Sequence, residues 1–168
     1  MNAFEPSLIL TIRIDEQAQH FFNALRQQHF PPERNFLQAH LTLFHKPPSD
    51  PETFKILSQT KPNCFSMEVT GLTGLGSGVA YKIHSQELNS LREQLRMRFY
   101  PYLNAQDKQG FRPHITVQNK VNADTARILL RKLTSEFRPF MVQAVGLDLW
   151  HYLGGPWKHA AYYPAVDL

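Results

Sequence analysis

Two five-residue segments of the 168-residue chain carry side chains suited to proton transfer. His40-Leu41-Thr42-Leu43-Phe44 and His114-Ile115-Thr116-Val117-Gln118 both read histidine, apolar, threonine, apolar. In an extended strand side chains alternate between faces. His40, Thr42 and Phe44 are therefore expected on one face, with Leu41 and Leu43 on the other. The second segment repeats the division, placing His114, Thr116 and Gln118 opposite Ile115 and Val117. Imidazole titrates near neutrality and can take or give a proton, and a threonine hydroxyl can hydrogen-bond a phosphate oxygen. A fold that turned the two polar faces together would surround one small pocket with two imidazoles and two hydroxyls. That is apparatus for acid–base chemistry on a phosphate ester.

The flanking sequence must supply elements that hold these segments. Residues 8–14 are apolar and β-branched enough for a buried strand. Asp15 then caps a helix with a Phe21, Phe22 and Leu25 stripe, ended near residue 29 by Pro31 and Pro32. Ser49 or Asp50 can cap a second helix with Pro51 at its first position, running to about Gln59. Strands follow near Phe65–Leu72 and Val79–His84. Ser85 caps a helix from Gln86 to about Phe99, with Leu88, Leu91, Leu95 and Met97 available for its buried side. A polar loop containing Asn104, Asp107 and Gly110 leads through Pro113 into the second histidine segment. Asn122 or Asp124 caps a last helix with Ala126, Leu129, Leu130 and Leu133 on its apolar face. Strands near Met141–His151 and Lys158–Tyr163 flank a Gly154-Gly155-Pro156 turn.

This order is a repeat. The two histidines lie 114 − 40 = 74 residues apart, and Val69-Thr70-Gly71-Leu72 matches Ala144-Val145-Gly146-Leu147 at 146 − 71 = 75. Agreement within one residue indicates a duplicated supersecondary unit. The expected architecture is α+β: two pseudo-symmetric lobes of antiparallel sheet with outer helices, a cleft between them, and one bilobal domain over residues 1–168.

Composition narrows the function classes. Lys and Arg number 18 against 14 Asp and Glu, a net charge of +4 with a sequence pI of about 9.3, which suits an anionic partner. Cys64 is the only cysteine, so no intrachain disulfide can form; it is expected as a small core residue in a reducing compartment. The apolar run from Leu8 to Ile12 is too short to span a membrane and has no basic leader before it. The expectation is a cytoplasmic monomer with no membrane partner.

His40 and His45, five apart, are expected on opposite faces of one strand, and no Cys/His or carboxylate spacing suits zinc or magnesium. Neither a metal nor another cofactor is expected. Gly71, Gly74, Gly76 and Gly78 lie between two strands, which marks a hairpin and not a phosphate loop opening a helix. Phe44 and Phe111 flank the motifs and are candidates for stacking a base, together with Tyr81, Trp150 and Tyr152 on the hairpins. Arg112 and Lys120, with Lys46 and Lys82, are the candidate phosphate contacts.

Twin His-x-Thr-x strands in a duplicated chain of this length, the second in the form Phe111-Arg112-Pro113-His114-Ile115-Thr116, resemble the 2H phosphoesterase superfamily. That group includes the 2′-5′ RNA ligase-like proteins and the RNA 2′,3′-cyclic phosphodiesterases. The resemblance covers nearly the whole chain. It implies that His40 and His114 are an acid–base pair and that Thr42 and Thr116 bind phosphate oxygens. The implied activity is a metal-independent phosphodiesterase opening the 2′,3′-cyclic phosphate of an RNA end or nucleotide to a 2′-phosphate, with 2′-5′ ligation as the reverse. Two stretches depart from the family pattern. Phe44-His45-Lys46-Pro47-Pro48 replaces a frequent Phe-Leu-Gly, and Gln118-Asn119-Lys120 stands where an arginine is frequent. Lys120 could replace that charge but not its bidentate geometry. Two other readings share the site: hydrolysis of 2′-5′ linked oligonucleotides or small nucleotide cyclic phosphates, and an RNA-binding module without turnover.

Overall fold

The structure is a computed structural model that describes residues 6–49 and 51–167. Its strands are β1 (Leu8–Ile14), β2 (Leu41–Phe44), β3 (Phe65–Gly74), β4 (Val79–His84), β5 (His114–Gln118), β6 (Phe140–Tyr152) and β7 (Trp157–Pro164). The helices are α1 (Glu16–His29), α2 (Pro51–Gln59), α3 (Gln86–Phe99), α4 (Ala105–Lys108) and α5 (Ala123–Glu136). Three long helices start where a side chain can satisfy a free backbone N–H. Asp15 accepts from Ala18 N, Ser85 from Leu88 N and Asn122 from Thr125 N. The alternative cap Asp50 lies outside the described residues. The polar loop before the second motif contains the short α4, capped by Asn104. Met97, expected in the core, is 71% exposed. It follows Leu95 by two positions, about 200° around the helix, so the two cannot share a face.

These strands are all antiparallel members of one sheet in the order β2-β1-β6-β3-β4-β5, with β7 also paired to β6. Strand β6 is long enough to hold β1 along one edge while β3 and then β7 share the other. The order reads the same from both ends once each strand is exchanged for its repeat partner. Register fixes the axis of that exchange: at the centre Met67 faces Val142, and 142 − 67 = 75 is the spacing of the sequence repeat. Advancing each residue of the β3–β6 ladder by one repeat therefore returns the same ladder, and a pseudo-twofold passes between Met67 and Val142.

Two half-sheets follow from this symmetry, with β2 and β5 at the outer edges. These edges approach each other but do not pair, so the sheet stays open. The antiparallel α+β architecture expected from the repeat is the one observed. Leu8, Leu10, Ile12 and Ile14 of β1 and Val79, Tyr81 and Ile83 of β4 are buried in a common core, the helices covering that face. The opposite face of β1, carrying Thr11 and Arg13, is the one that holds the motif threonines.

Candidate active site

Each motif strand carries a β-bulge at the same point of the repeat. In β2, Thr42 faces Thr11 while Phe44 faces Leu10, so two steps of β2 match one step of β1. In β5, Thr116 faces Ala80 while Gln118 faces Val79. An extra residue resets the alternation of side chains beyond it. Phe44 and Gln118 consequently turn from the threonine face into the core, where they are 0% and 3% exposed. The strict alternation expected for Phe44 and Gln118 is thus corrected, and Phe44 cannot touch a ligand. Instead its ring packs edge-on against Phe99 and under the Arg92 guanidinium. By the same reset His45 joins His40 on the cleft side, contrary to the expectation that five residues would separate them.

A cavity of about 570 Å³ opens between β2 and β5, lined by His40, Thr42, His45, His114, Thr116 and the preceding loop with Phe111 and Arg112. The structure thus brings six of the expected site residues together. Lys120 is exposed and does not line this cavity. Tyr81 is in the core, and Cys64 is half-exposed with its thiol donating to Asp167.

The two imidazoles are held alike. Nδ1 of His40 bonds the carbonyl of Gln38 at 2.8 Å, and Nδ1 of His114 bonds the carbonyl of Arg112 at 2.8 Å. A carbonyl accepts only, so Nδ1 must carry the proton and Nε2 is left as the reactive nitrogen in the neutral ring. Burial pushes His40 down to about 4, opposed by the Gln38 carbonyl and reinforced by the positive charges of Arg26, His114 and His45. His40 is therefore neutral at physiological pH, with a lone pair available on Nε2.

Unpaired edge strands need another means of keeping their distance, and two buried arginines supply it. Arg26 of α1 donates from Nη1 to the carbonyl of Thr116 at 3.2 Å, and Arg92 of α3 donates from Nε to the carbonyl of Leu43 at 3.1 Å. Each helix thereby reaches the motif strand of the opposite repeat. Arg26 also bonds Asn35 Oδ1, and Arg92 Nη2 bonds the carbonyl of Asp107 at 2.7 Å. Burial lowers both guanidinium groups, Arg26 to about 10, so both stay charged near neutrality.

Asp107, 1% exposed, completes the brace. Its carboxylate accepts from the backbone N–H of His45 at 2.9 Å and of Lys46 at 2.7 Å. The loop after the first motif is thus fastened to the loop before the second. Sequence reading missed His45, Arg92 and Asp107 as parts of the site. Only the Asn104 and Asp107 pair left a trace, as a capped turn in a polar loop.

Chemically, the cleft offers a proton acceptor, a second imidazole, two hydroxyl donors and Arg112, with the opposed charges of Arg92 and Asp107 behind them. Among the described residues no group of three His, Cys, Asp or Glu side chains could hold a metal ion, and no helix is long and apolar enough to cross a membrane.

Several solved structures share this fold. Escherichia coli LigT complexed with 3′-AMP superposes with a TM-score of 0.64 at 17% identity, over 96% of this chain and 98% of that one. TT0787 of Thermus thermophilus gives 0.66 at 15% identity over 94% and 97%. E. coli LigT complexed with NADP+ gives 0.60 at 17% identity over 95% and 98%. A sequence search of curated proteins finds no match. The sequence model of the 2′-5′ RNA ligase superfamily matches residues 14–156, from the end of β1 to the β6–β7 turn. With both motif strands, both bulges and the repeat axis inside that span, the chain belongs to the 2′-5′ RNA ligase superfamily, the 2H phosphoesterases.

Proposed function

We propose that this protein is a metal-independent phosphodiesterase that opens the 2′,3′-cyclic phosphate at an RNA end to a 2′-phosphate. The observation carrying this reading is the pair of imidazoles, each tied through Nδ1 to the carbonyl two residues before it, one just before β2 and one at the start of β5, both lining one cleft. His40, kept neutral by its burial, serves as the base: its Nε2 takes a proton from water as the water oxygen attacks phosphorus. His114 enters the step as the imidazolium, with Nδ1–H on the Arg112 carbonyl, and gives its Nε2 proton to the departing 3′ oxygen. The P–O3′ bond breaks, the new P–O bond forms, and the 2′ ester remains. Thr42 and Thr116 donate hydrogen bonds to the non-bridging oxygens as charge builds. Arg112 at the mouth balances the phosphate charge, while the charge of Arg92 is offset by the Asp107 carboxylate in the same lining. Both proton transfers are then carried by side chains, and no step calls on a metal.

Run backwards, with a 5′-hydroxyl replacing water, the same groups would join RNA ends through a 2′-5′ linkage. A nucleotide-sized cleft also supports a second reading, hydrolysis of small nucleotide cyclic phosphates. The complexes of E. coli LigT with 3′-AMP, NADP+ and ATP are consistent with ligands of that size.

The test is incubation of the purified protein with an oligoribonucleotide ending in 2′,3′-cyclic phosphate, with and without excess chelator. The expected product is the 2′-phosphate at equal rates in both, lost in His40→Ala and in His114→Ala. No product, a 3′-phosphate, or turnover restored only by a divalent ion would overturn the reading.

A further inference from the structure

The cleft continues past Phe111. Beyond that residue lies a groove of about 430 Å³ beside α3 and α4, sharing Arg92, Gln109, Gly110 and Phe111 with the cleft. We infer that this groove is a second phosphate subsite: it takes a backbone phosphate of an RNA strand passing over Gly110, held by Arg96 and Lys108. The inference rests on the cyclic-phosphate reading of the cleft itself.

The two cations come from different elements, Arg96 from the last turn of α3 and Lys108 from the end of α4. They meet over the Tyr100 ring, where Lys108 Nζ lies 4.7 Å and the Arg96 guanidinium carbon 5.7 Å from the centroid. A ring face attracts a cation without supplying a counter-charge, so both charges are placed and stay available to an anion. Glu93 is the one carboxylate in the lining, and it accepts from Arg96 Nη1 at 3.2 Å. Its side chain is 59% exposed, so water weakens that pair. Lys108 is in no ion pair among the described residues. Two cations against one exposed carboxylate leave the groove positive, next to Arg112 at the mouth of the cleft.

Gly110 is the sill between the two spaces. A Cβ added there meets no protein atom within 4 Å, and the backbone is not in the left-handed region that favours glycine. Neither packing nor backbone therefore calls for a glycine at this position. Gly78, by contrast, has the Gln118 carbonyl oxygen where a Cβ would stand. What the bare Gly110 does is keep the space over the sill clear, so that an extended strand can run from the cleft to the two cations. The same openness lets a larger side chain be placed there without disturbing the fold.

Two arms distinguish the strand that supplies the phosphate. The first is the preference for a triadenylate ending in 2′,3′-cyclic phosphate over adenosine 2′,3′-cyclic phosphate, taken as the ratio of kcat/KM values; it reports the strand that carries the cyclic end. The second is inhibition of adenosine 2′,3′-cyclic phosphate hydrolysis by a triadenylate with free 5′ and 3′ hydroxyls; it reports the strand whose 5′-hydroxyl replaces water. In the arm that responds, Arg96→Ala combined with Lys108→Ala should weaken the effect of the longer chain about 10-fold or more. The slope of that effect against log salt should become shallower by about 0.7 for each cation removed. Glu93→Gln should move the same arm the opposite way, which a merely structural role would not do. Gly110→Leu should weaken it by obstruction, and serves where the double variant fails to fold. Binding of either triadenylate, followed by fluorescence anisotropy, with this charge dependence but no hydrolysis of either cyclic phosphate would retain the subsite and remove the enzymatic reading. Folded variants that leave both arms unchanged, or a Glu93→Gln shift in the same direction as the double variant, would overturn the subsite.

Discussion

Removing the Asp107 carboxylate should loosen the joint between the two motif strands. In the native fold it accepts two backbone N–H groups from the segment after β2, at 2.9 and 2.7 Å, while Arg92 clasps the Asp107 carbonyl and the Leu43 carbonyl together. A hydrogen bond to a charged group is worth about 1.5–3 kcal/mol. His45 and Lys46 are exposed, so water can recover part of what their N–H groups lose. The lower end then applies to each bond, and Asp107→Ala should cost about 3 kcal/mol. For a chain of this size that lowers Tm by about 6–12 °C.

Asp107→Asn should be nearly as harmful, because the amide keeps one acceptor and turns an N–H donor towards another N–H. Equilibrium urea unfolding is the stability assay, with the shift in midpoint read at unchanged slope. Turnover on a cyclic-phosphate RNA end is the second readout. Strands β2 and β5 share no ladder, so a freed loop lets the two imidazoles drift, and a misplacement of about 1 Å can cost about 100-fold in rate. An Asp107→Ala protein that melts within about a degree of the native one and turns over normally would refute this brace.

The depressed His40 has two consequences for pH. Activity should persist well below the usual imidazole range, its acidic limb falling towards about 4. Stability from this residue is fully present above 6.5, the ordinary histidine value. It declines as pH falls from there to about 4, because the unfolded chain takes up a proton the folded one refuses. The loss is at most about 3 kcal/mol, less what solvent recovers at a ring that is only half-buried, and comparing melts of the native protein and His40→Asn across pH 4–7 measures it. Thr42→Ala and Thr116→Ala should each slow turnover less than either histidine substitution, since a neutral hydrogen bond is worth about 0.5–1.5 kcal/mol, with melts unchanged because both side chains face the cleft. Gln118 is 3% exposed with its Oε1 buried and without a hydrogen-bond partner, so Gln118→Met should raise the urea midpoint, by the equivalent of about 1 kcal/mol.

What the sequence determined by itself was most of what near neighbours and the internal repeat set. Helix starts were readable because Asp15, Ser85 and Asn122 each satisfy a backbone N–H three residues on. Strands were readable from runs such as Leu8–Ile14, and the architecture from a 75-residue spacing that the β3–β6 register turns into a symmetry axis. The histidine and threonine of each motif lie before the bulge, so plain alternation placed them correctly. Beyond the bulge it failed: Phe44, Gln118 and His45 depend on how β2 and β5 register against β1 and β4, which is a property of paired strands and leaves no mark on either one alone. The brace likewise joins residues far apart in the chain, such as Arg26 to Thr116 and Asp107 to His45. His40 is likewise buried only in the folded chain, where Trp157 of β7, more than 100 residues along, packs 4.6 Å from its ring. Burial, charge and stacking act through space, and folding brings those distant side chains within their reach.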